Sequence, residues 1–214
     1  MSGFKNDNLD FDELDFHDVS LETLGAHLFF GEVDTDSVKS AISFVLKSNM
    51  LHRDNREISI YLNTVGGSCY DGFGLIDIMN ISRLPVKTVG IGNIMSMGVL
   101  LLCAGAPGRR IITKNTQVMA HQFSGGAEGK FHELVSAYKA ELYLEQLFLQ
   151  HFLRNSTMNE KKIRDIMFGP TDRWLSPTEC RKLGLVDHVI DELPDFNLAH
   201  QISAEPRSKR PVRK

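Results

Sequence analysis

The chain has 214 residues, 42% hydrophobic and 24% charged, with a formal net charge of −3 at pH 7. That apolar content supports one sizeable core and is too little for two comfortable domains. A balance of 24 basic against 27 acidic residues excludes a global field that recruits nucleic acid or an anionic membrane, so neither is an expected partner.

Charge is nevertheless uneven along the chain. Residues 1–20 carry Asp7, Asp10, Asp12, Glu13, Asp15 and Asp18 against Lys5 alone, while the end beyond Glu205 carries Arg207, Lys209, Arg210, Arg213 and Lys214. Like charges crowded at each end favour a solvated chain, and Pro206 and Pro211 discourage regular structure in the second. The organisation expected is an acidic, flexible segment over 1–20, a folded domain over 21–195 and a basic, disordered tail over 196–214.

In chain order, Ala26–Gly31 reads as a short strand ending at a glycine. A helix follows, capped by Asp36, with Val38, Ala41, Ile42, Val45 and Leu46 at the three- and four-residue spacing of a buried face. Glu57–Leu62 alternates polar with apolar as a strand does. A turn at Val65-Gly66-Gly67 precedes a helix from about Tyr70 to Ile81, and after the break at Pro85 comes a strand from Val86 to Ile91.

An apolar helical stretch, Val99–Ala104, follows Ser96. Further short strands are expected at Arg110–Thr113 and Gln117–Ala120. Strand and helix alternate three times, which argues for an α/β layered fold with largely parallel strands, because parallel strands need long crossovers.

From Phe131 to about Arg154 runs a helix of some 35 Å at 1.5 Å per residue. Its apolar positions, including Tyr143, Leu144, Leu147 and Phe148, spread beyond one stripe, so it is expected to project and pack against another subunit. A shorter helix is expected from Asn159 to Met167.

Cys69, Cys103 and Cys180 are odd in number and widely spaced, in a chain without an N-terminal hydrophobic leader, which points to a reducing, cytoplasmic setting. No CxxC or HxxxH spacing offers a metal site, and no cofactor is called for. The longest apolar run falls far short of the roughly 20 residues of a membrane-spanning helix.

Ser96 lies at a strand-to-helix junction, where backbone N–H groups lack intrahelical partners. An isolated serine there is most often only an N-cap. Company along the chain shifts that reading. Hydrolysis of an amide needs a nucleophile, a base, a group that orients the base and donors for the oxyanion. Ser96, His121, Asp172 and the backbone N–H groups of Met97 and Gly67 could fill those roles in that order. Gly66 and Gly67 lack side chains and let a substrate approach the backbone.

The segments Phe29-Phe30-Gly31-Glu32-Val33, Gly66-Gly67-Ser68, Gly92 to Gly98, Gly108-Arg109-Arg110, Val118-Met119-Ala120-His121-Gln122, Gly125-Gly126 and Asp172-Arg173-Trp174-Leu175-Ser176 resemble, in order, the proteolytic subunit of the Clp protease, the ClpP family. The resemblance covers about Leu24 to Ile190. It implies an α/β, ClpP/crotonase-like fold of repeated β-β-α units with a long projecting handle helix over about 131–154.

It further implies a Ser96-His121-Asp172 serine endopeptidase acting on unfolded polypeptides or short peptides, with Gly67 and Met97 as oxyanion hole. Substrate would lie as an extended strand beside Gly66, Gly125 and Gly126, near Phe123. The family's assembly implies heptameric rings stacked as a homo-oligomeric tetradecamer, fed by a Clp-type ATPase unfoldase.

The chain departs from the family's pattern at Val65, Met95 and Phe123, which border the site, and at Thr171, where many members carry a ring-bridging arginine. Tyr61 matches the family's unfoldase-docking pocket, whereas Ser59, Ile111 and Thr113 do not. These departures motivate an alternative: a weakly active or non-catalytic ring component that assembles with or modifies another ClpP subunit. A crotonase-type acyl-CoA enzyme is a more distant reading, resting on fold analogy alone.

Overall fold

Ile58, Ile60, Leu62 and Thr64 are buried while the residues between them are not, the two-residue period of a strand with one face on a core. This strand, β2 (Ile58–Gly67), lies between β1 (Ala26–Val33) and β3 (Val86–Met95), parallel to both. The computed structural model describes residues 20–51 and 57–192. The acidic segment before Ser20 and the basic tail over 196–214 lie outside the described residues.

Helices α1 (Thr35–Leu51), α2 (Cys69–Ile81) and α3 (Met97–Cys103) each follow one of these strands. The strand order is β1-β2-β3-β4-β7, with β4 (Arg110–Thr113) and β7 (His188–Ile190) parallel to their neighbours. Register breaks between Phe30 and Glu32 and between Leu62 and Thr64 bend the long strands. As a result β3 pairs with β4 through Thr88–Gly90 and with β5 (Gln117–Ala120) through Asn93–Met95. Each long strand therefore acts as two segments before its helix, an α/β arrangement with a mostly parallel sheet.

Three local expectations are corrected. The first helix begins at Thr35, and Asp34 rather than Asp36 takes the capping role, accepting the Ser37 N–H at 2.8 Å. Val65-Gly66-Gly67 is not a turn; Gly66 and Gly67 pair with Glu32 and Val33 as the end of β2. The strand expected to stop at Ile91 continues to Met95, so that only Ser96 separates it from α3.

The core is built from Phe29, Ala41, Phe44, Ile60, Leu62, Leu75, Ile94, Leu101 and Ile112, all at most 2% exposed. Every residue of α3 is buried, an apolar segment seated against β2 and β3. Helix α4 (Phe131–Asn155) has two environments. Its second half buries Leu144, Phe148, Leu149, His151 and Phe152, while Phe131, Leu134, Val135, Tyr138, Leu142 and Tyr143 remain exposed. Leu144 and Phe148 serve the core rather than widening an outward apolar face.

Arg110 anchors the buried end of α4. Its guanidinium donates to Asp187 at 3.0 and 2.6 Å, to the Gly184 carbonyl at 2.9 Å and to the Asn155 carbonyl. The last helix residue is thereby tied to β4 and the chain leading into β7. Beyond α4 come α5 (Glu160–Met167), β6 (Arg173–Leu175) and α6 (Pro177–Lys182). Asn159 caps α5 and Ser176 caps α6 in a reciprocal capping box with Glu179.

Candidate active site

Ser96 has φ 52° and ψ −123° and is, among the described residues, the only non-glycine with positive φ. A side chain in such a backbone costs on the order of 1–3 kcal/mol and persists only where surrounding contacts enforce it. Those contacts are identifiable. The Ser96 N–H donates to the Met119 carbonyl at 2.9 Å, fixing the end of β3 beside β5, and the buried α3 begins at the next residue. The Ser96 side chain makes no capping hydrogen bond, so the strained position leaves its hydroxyl free of the usual helix-start role.

Gly66 and Gly67 close one side of the serine. A Cβ added at Gly66 would fall 2.6 Å from the Ser96 Cβ and 3.0 Å from the Met97 nitrogen, and Gly66 has φ 92°. Gly67, at φ 147°, could not carry a Cβ without colliding with the Val33 carbonyl. The end of β2 thus lies directly against the start of α3, with the backbones of Gly66, Ser96 and Met97 in close approach. The Met97 side chain is buried and packs over Gly72.

His121 follows β5 and Asp172 precedes β6. The two strands are antiparallel, with Val118 opposite Leu175, Met119 opposite Trp174 and Ala120 opposite Arg173. One residue further along both chains stand His121 and Asp172. Since Met95 pairs with Met119 in the parallel β3–β5 ladder, residues 96, 121 and 172 all leave the sheet at the same end of three adjacent strands.

Ser96 and His121 line one cleft, together with Val99, Leu100, Ala120, Phe123, Phe148, Phe152 and Met167. Asp172 is exposed and outside that lining. Among the described residues no hydrogen bond joins Ser96 to His121 or His121 to Asp172.

The segment 121–130 runs without helix or strand. Gly126 has open space where a Cβ would be, and at Gly125 a Cβ would meet the Glu141 carboxylate of α4 at 2.5 Å. Phe123 stacks on Phe148, with ring centroids 5.4 Å apart and planes at 23°. Phe148 in turn meets the edges of Phe73 and Phe168. The sequence reading missed this aromatic cluster, whose members come from α2, α4, the 121–130 segment and the residue after α5.

It also missed His151, buried beneath α3. Its Nε2 bonds the Leu100 carbonyl at 3.0 Å, which requires Nε2 to carry the proton, and Nδ1 faces the Asn155 amide at 3.4 Å. Burial lowers its pKa to about 4, against the opposing pull of the Leu100 carbonyl. The ring is therefore neutral at pH 7 and packs edge-on to Phe73 and Phe152. Among the described residues no group of three His, Cys, Asp or Glu side chains could hold a metal ion.

A strained serine at a strand-to-helix junction thus stands beside a glycine pair and shares a cleft with a strand-end histidine. Comparison with known proteins gives the family: residues 24–193 match the Clp protease family, and the chain belongs to it. It is 36% identical over 173 residues to the ATP-dependent Clp protease proteolytic subunit 2 of Synechococcus sp. strain CC9605, covering 78% of this chain and 84% of that one.

It is 33% identical over 179 residues to the ATP-dependent Clp protease proteolytic subunit of Deinococcus radiodurans, covering 82% and 86%. With the proteolytic subunit 2 of Thermobifida fusca it shares 32% identity over 168 residues, 78% and 82% of the two chains. No helix among the described residues is long and apolar enough to cross a membrane.

Proposed function

We propose that the protein is the serine endopeptidase subunit of a self-compartmentalising Clp-type protease, with Ser96 as nucleophile, His121 as general base and Asp172 as the carboxylate that orients His121. The observation that carries this reading is the positive φ of Ser96 at a junction where its hydroxyl is not spent on capping and where His121 lines the same cleft. Backbone strain of this kind clusters at active sites, where it is part of the mechanism.

In the reaction, neutral His121 takes the Ser96 proton as Oγ attacks the peptide carbonyl, and the oxyanion is received by the N–H groups of Met97 and Gly67. His121 then gives that proton to the leaving amine, and water repeats the sequence on the acyl-enzyme. An extended substrate would lie beside Gly66, Gly67, Gly125 and Gly126, and of these four Gly126 has open space where a Cβ would be. The peptidase domain spans 21–195, with α4 as its handle.

The exposed apolar face of Phe131, Leu134, Tyr138 and Leu142 supports packing of α4 against a second ring. Such a face is costly to leave in water. Two stacked heptameric rings, a chamber that excludes folded proteins and an ATP-dependent unfoldase as feeder complete the proposal. Three cysteines without a disulfide fit a reducing cytoplasm.

The test is hydrolysis of fluorogenic peptides by the assembled protein and by Ser96→Ala. Loss of turnover in the variant, with assembly retained, is the expected result; equal turnover in both would overturn the assignment. A second reading, a ring component of low activity partnered with another ClpP subunit, is supported by the exposed Asp172 and the missing Ser96–His121 bond. Native mass spectrometry after co-expression with such a subunit separates the two, strictly homomeric rings removing the second.

A further inference from the structure

The cleft between Ser96 and His121 has a cavity volume of about 10 Å³, room for roughly one water molecule. Rings fill the remainder. Phe148, 6% exposed, is held in place by the edges of Phe73 at 5.3 Å and of Phe168 at 6.4 Å. Phe123 stacks nearly flat on it, at 5.4 Å. The cleft adjoins Ser96 and is walled by Val99 and Leu100 of α3, so it is the space next to an acyl group carried on the Ser96 Oγ.

We infer that Phe123 is a specificity-determining residue that restricts cleavage to bonds following a small side chain, such as alanine, glycine or serine. The inference rests on the assignment of Ser96 as nucleophile. Of the two stacked rings, Phe148 is buried within a helix and packed against Phe73 and Phe168 as well. Phe123 is only half-buried and belongs to a segment without helix or strand, so it is the ring whose removal changes the space available.

An isobutyl or benzyl group cannot enter while both rings stay in place, because overfilling a packed apolar site forces side chains off their rotamers and shifts backbone. Apolar pockets discriminate by about tenfold or more for each methylene they refuse. The wall holds no Asp, Glu, Lys or Arg side chain, so acidic and basic side chains are refused as well.

The experiment uses the full-length assembled protein and matched fluorogenic peptides that differ only in the residue before the scissile bond. For the wild-type protein kcat/KM for the alanyl peptide should exceed that for the leucyl and phenylalanyl peptides at least tenfold. Phe123→Ala should raise the leucyl-to-alanyl ratio at least tenfold, with Phe123→Leu intermediate.

Equal use of alanyl and leucyl peptides by the wild type, or an unchanged ratio in Phe123→Ala, overturns the inference. Labelling by a small fluorophosphonate lacking a side chain is measured in parallel. Labelling at Ser96 with an unchanged ratio removes only the role of Phe123. No labelling at Ser96 removes the nucleophile assignment, and this inference with it.

Discussion

Gly66 and Ser96 approach so closely that a methyl group on the first would lie 2.6 Å from the Cβ of the second. The glycine therefore sets where the serine can stand. Gly66→Ala adds both that collision and a side chain at φ 92°. It should cost roughly 1–3 kcal/mol of stability and reduce peptide hydrolysis about a hundredfold through displacement of Ser96. Kinetics and urea unfolding of the variant check both, and an active, equally stable Gly66→Ala protein would contradict the account.

Backbone strain at Ser96 has its own signature. Both Ser96→Gly and Ser96→Ala remove the hydroxyl, but only glycine tolerates φ 52° without a steric penalty. Ser96→Gly should accordingly be more stable than Ser96→Ala by about 1 kcal/mol, read as a higher unfolding midpoint at the same protein concentration. The reverse order would show that the junction is relaxed.

Asp172 is tested by a substitution that keeps its shape. Because the residue is exposed and stands one step beyond the Ala120–Arg173 pair, Asp172→Asn should leave stability within about 0.5 kcal/mol. Turnover should nevertheless fall by up to about 10⁴-fold if the carboxylate orients His121. Unchanged turnover would remove Asp172 from the mechanism and leave the serine and histidine assignments standing.

The reach of the sequence is clearest where periodicity is strong. The apolar spacing of Val38, Ala41 and Val45, and of the residues from Leu142 to Phe152, locates α1 and α4 to within a few positions. Short strands carry no such pattern: Arg173-Trp174-Leu175 and His188-Val189-Ile190 are strands only because β5 and β4 pair with them. The Gly66-Gly67 pair looks like a turn locally but is held in a ladder by Glu32 and Val33.

At the site, the residue types and their order were readable, whereas their placement was not. That His121 and Asp172 stand across from each other depends on one antiparallel pairing between distant segments. Phe148 and His151 were legible only as helix positions, since tertiary packing against Phe123 brings the first into the cleft wall and the Leu100 carbonyl holds the second beneath α3.

Buried His151 predicts a pH response separate from catalysis. Its folded-state pKa, about 4, lies below the ordinary value near 6.5, so the unfolded chain binds a proton first as pH falls. Stability from this group is complete above about pH 6.5, declines between about pH 6.5 and pH 4, and totals on the order of 3 kcal/mol. Asp187, pushed up by burial but held lower overall by Arg110, acts in the same direction at more acid pH. Urea midpoints of the wild type and His151→Leu from pH 7.5 to pH 4.5 check this, with a shallower slope expected in the variant and equal slopes contradicting it.

The central claim is that Ser96 is a nucleophile activated by His121. It is tested most directly by treating the assembled protein with a fluorophosphonate and locating the adduct by peptide mass spectrometry. The account predicts a single stoichiometric adduct on Ser96 that forms far more slowly in His121→Ala; no adduct at Ser96, or equal rates with and without the imidazole, would contradict it.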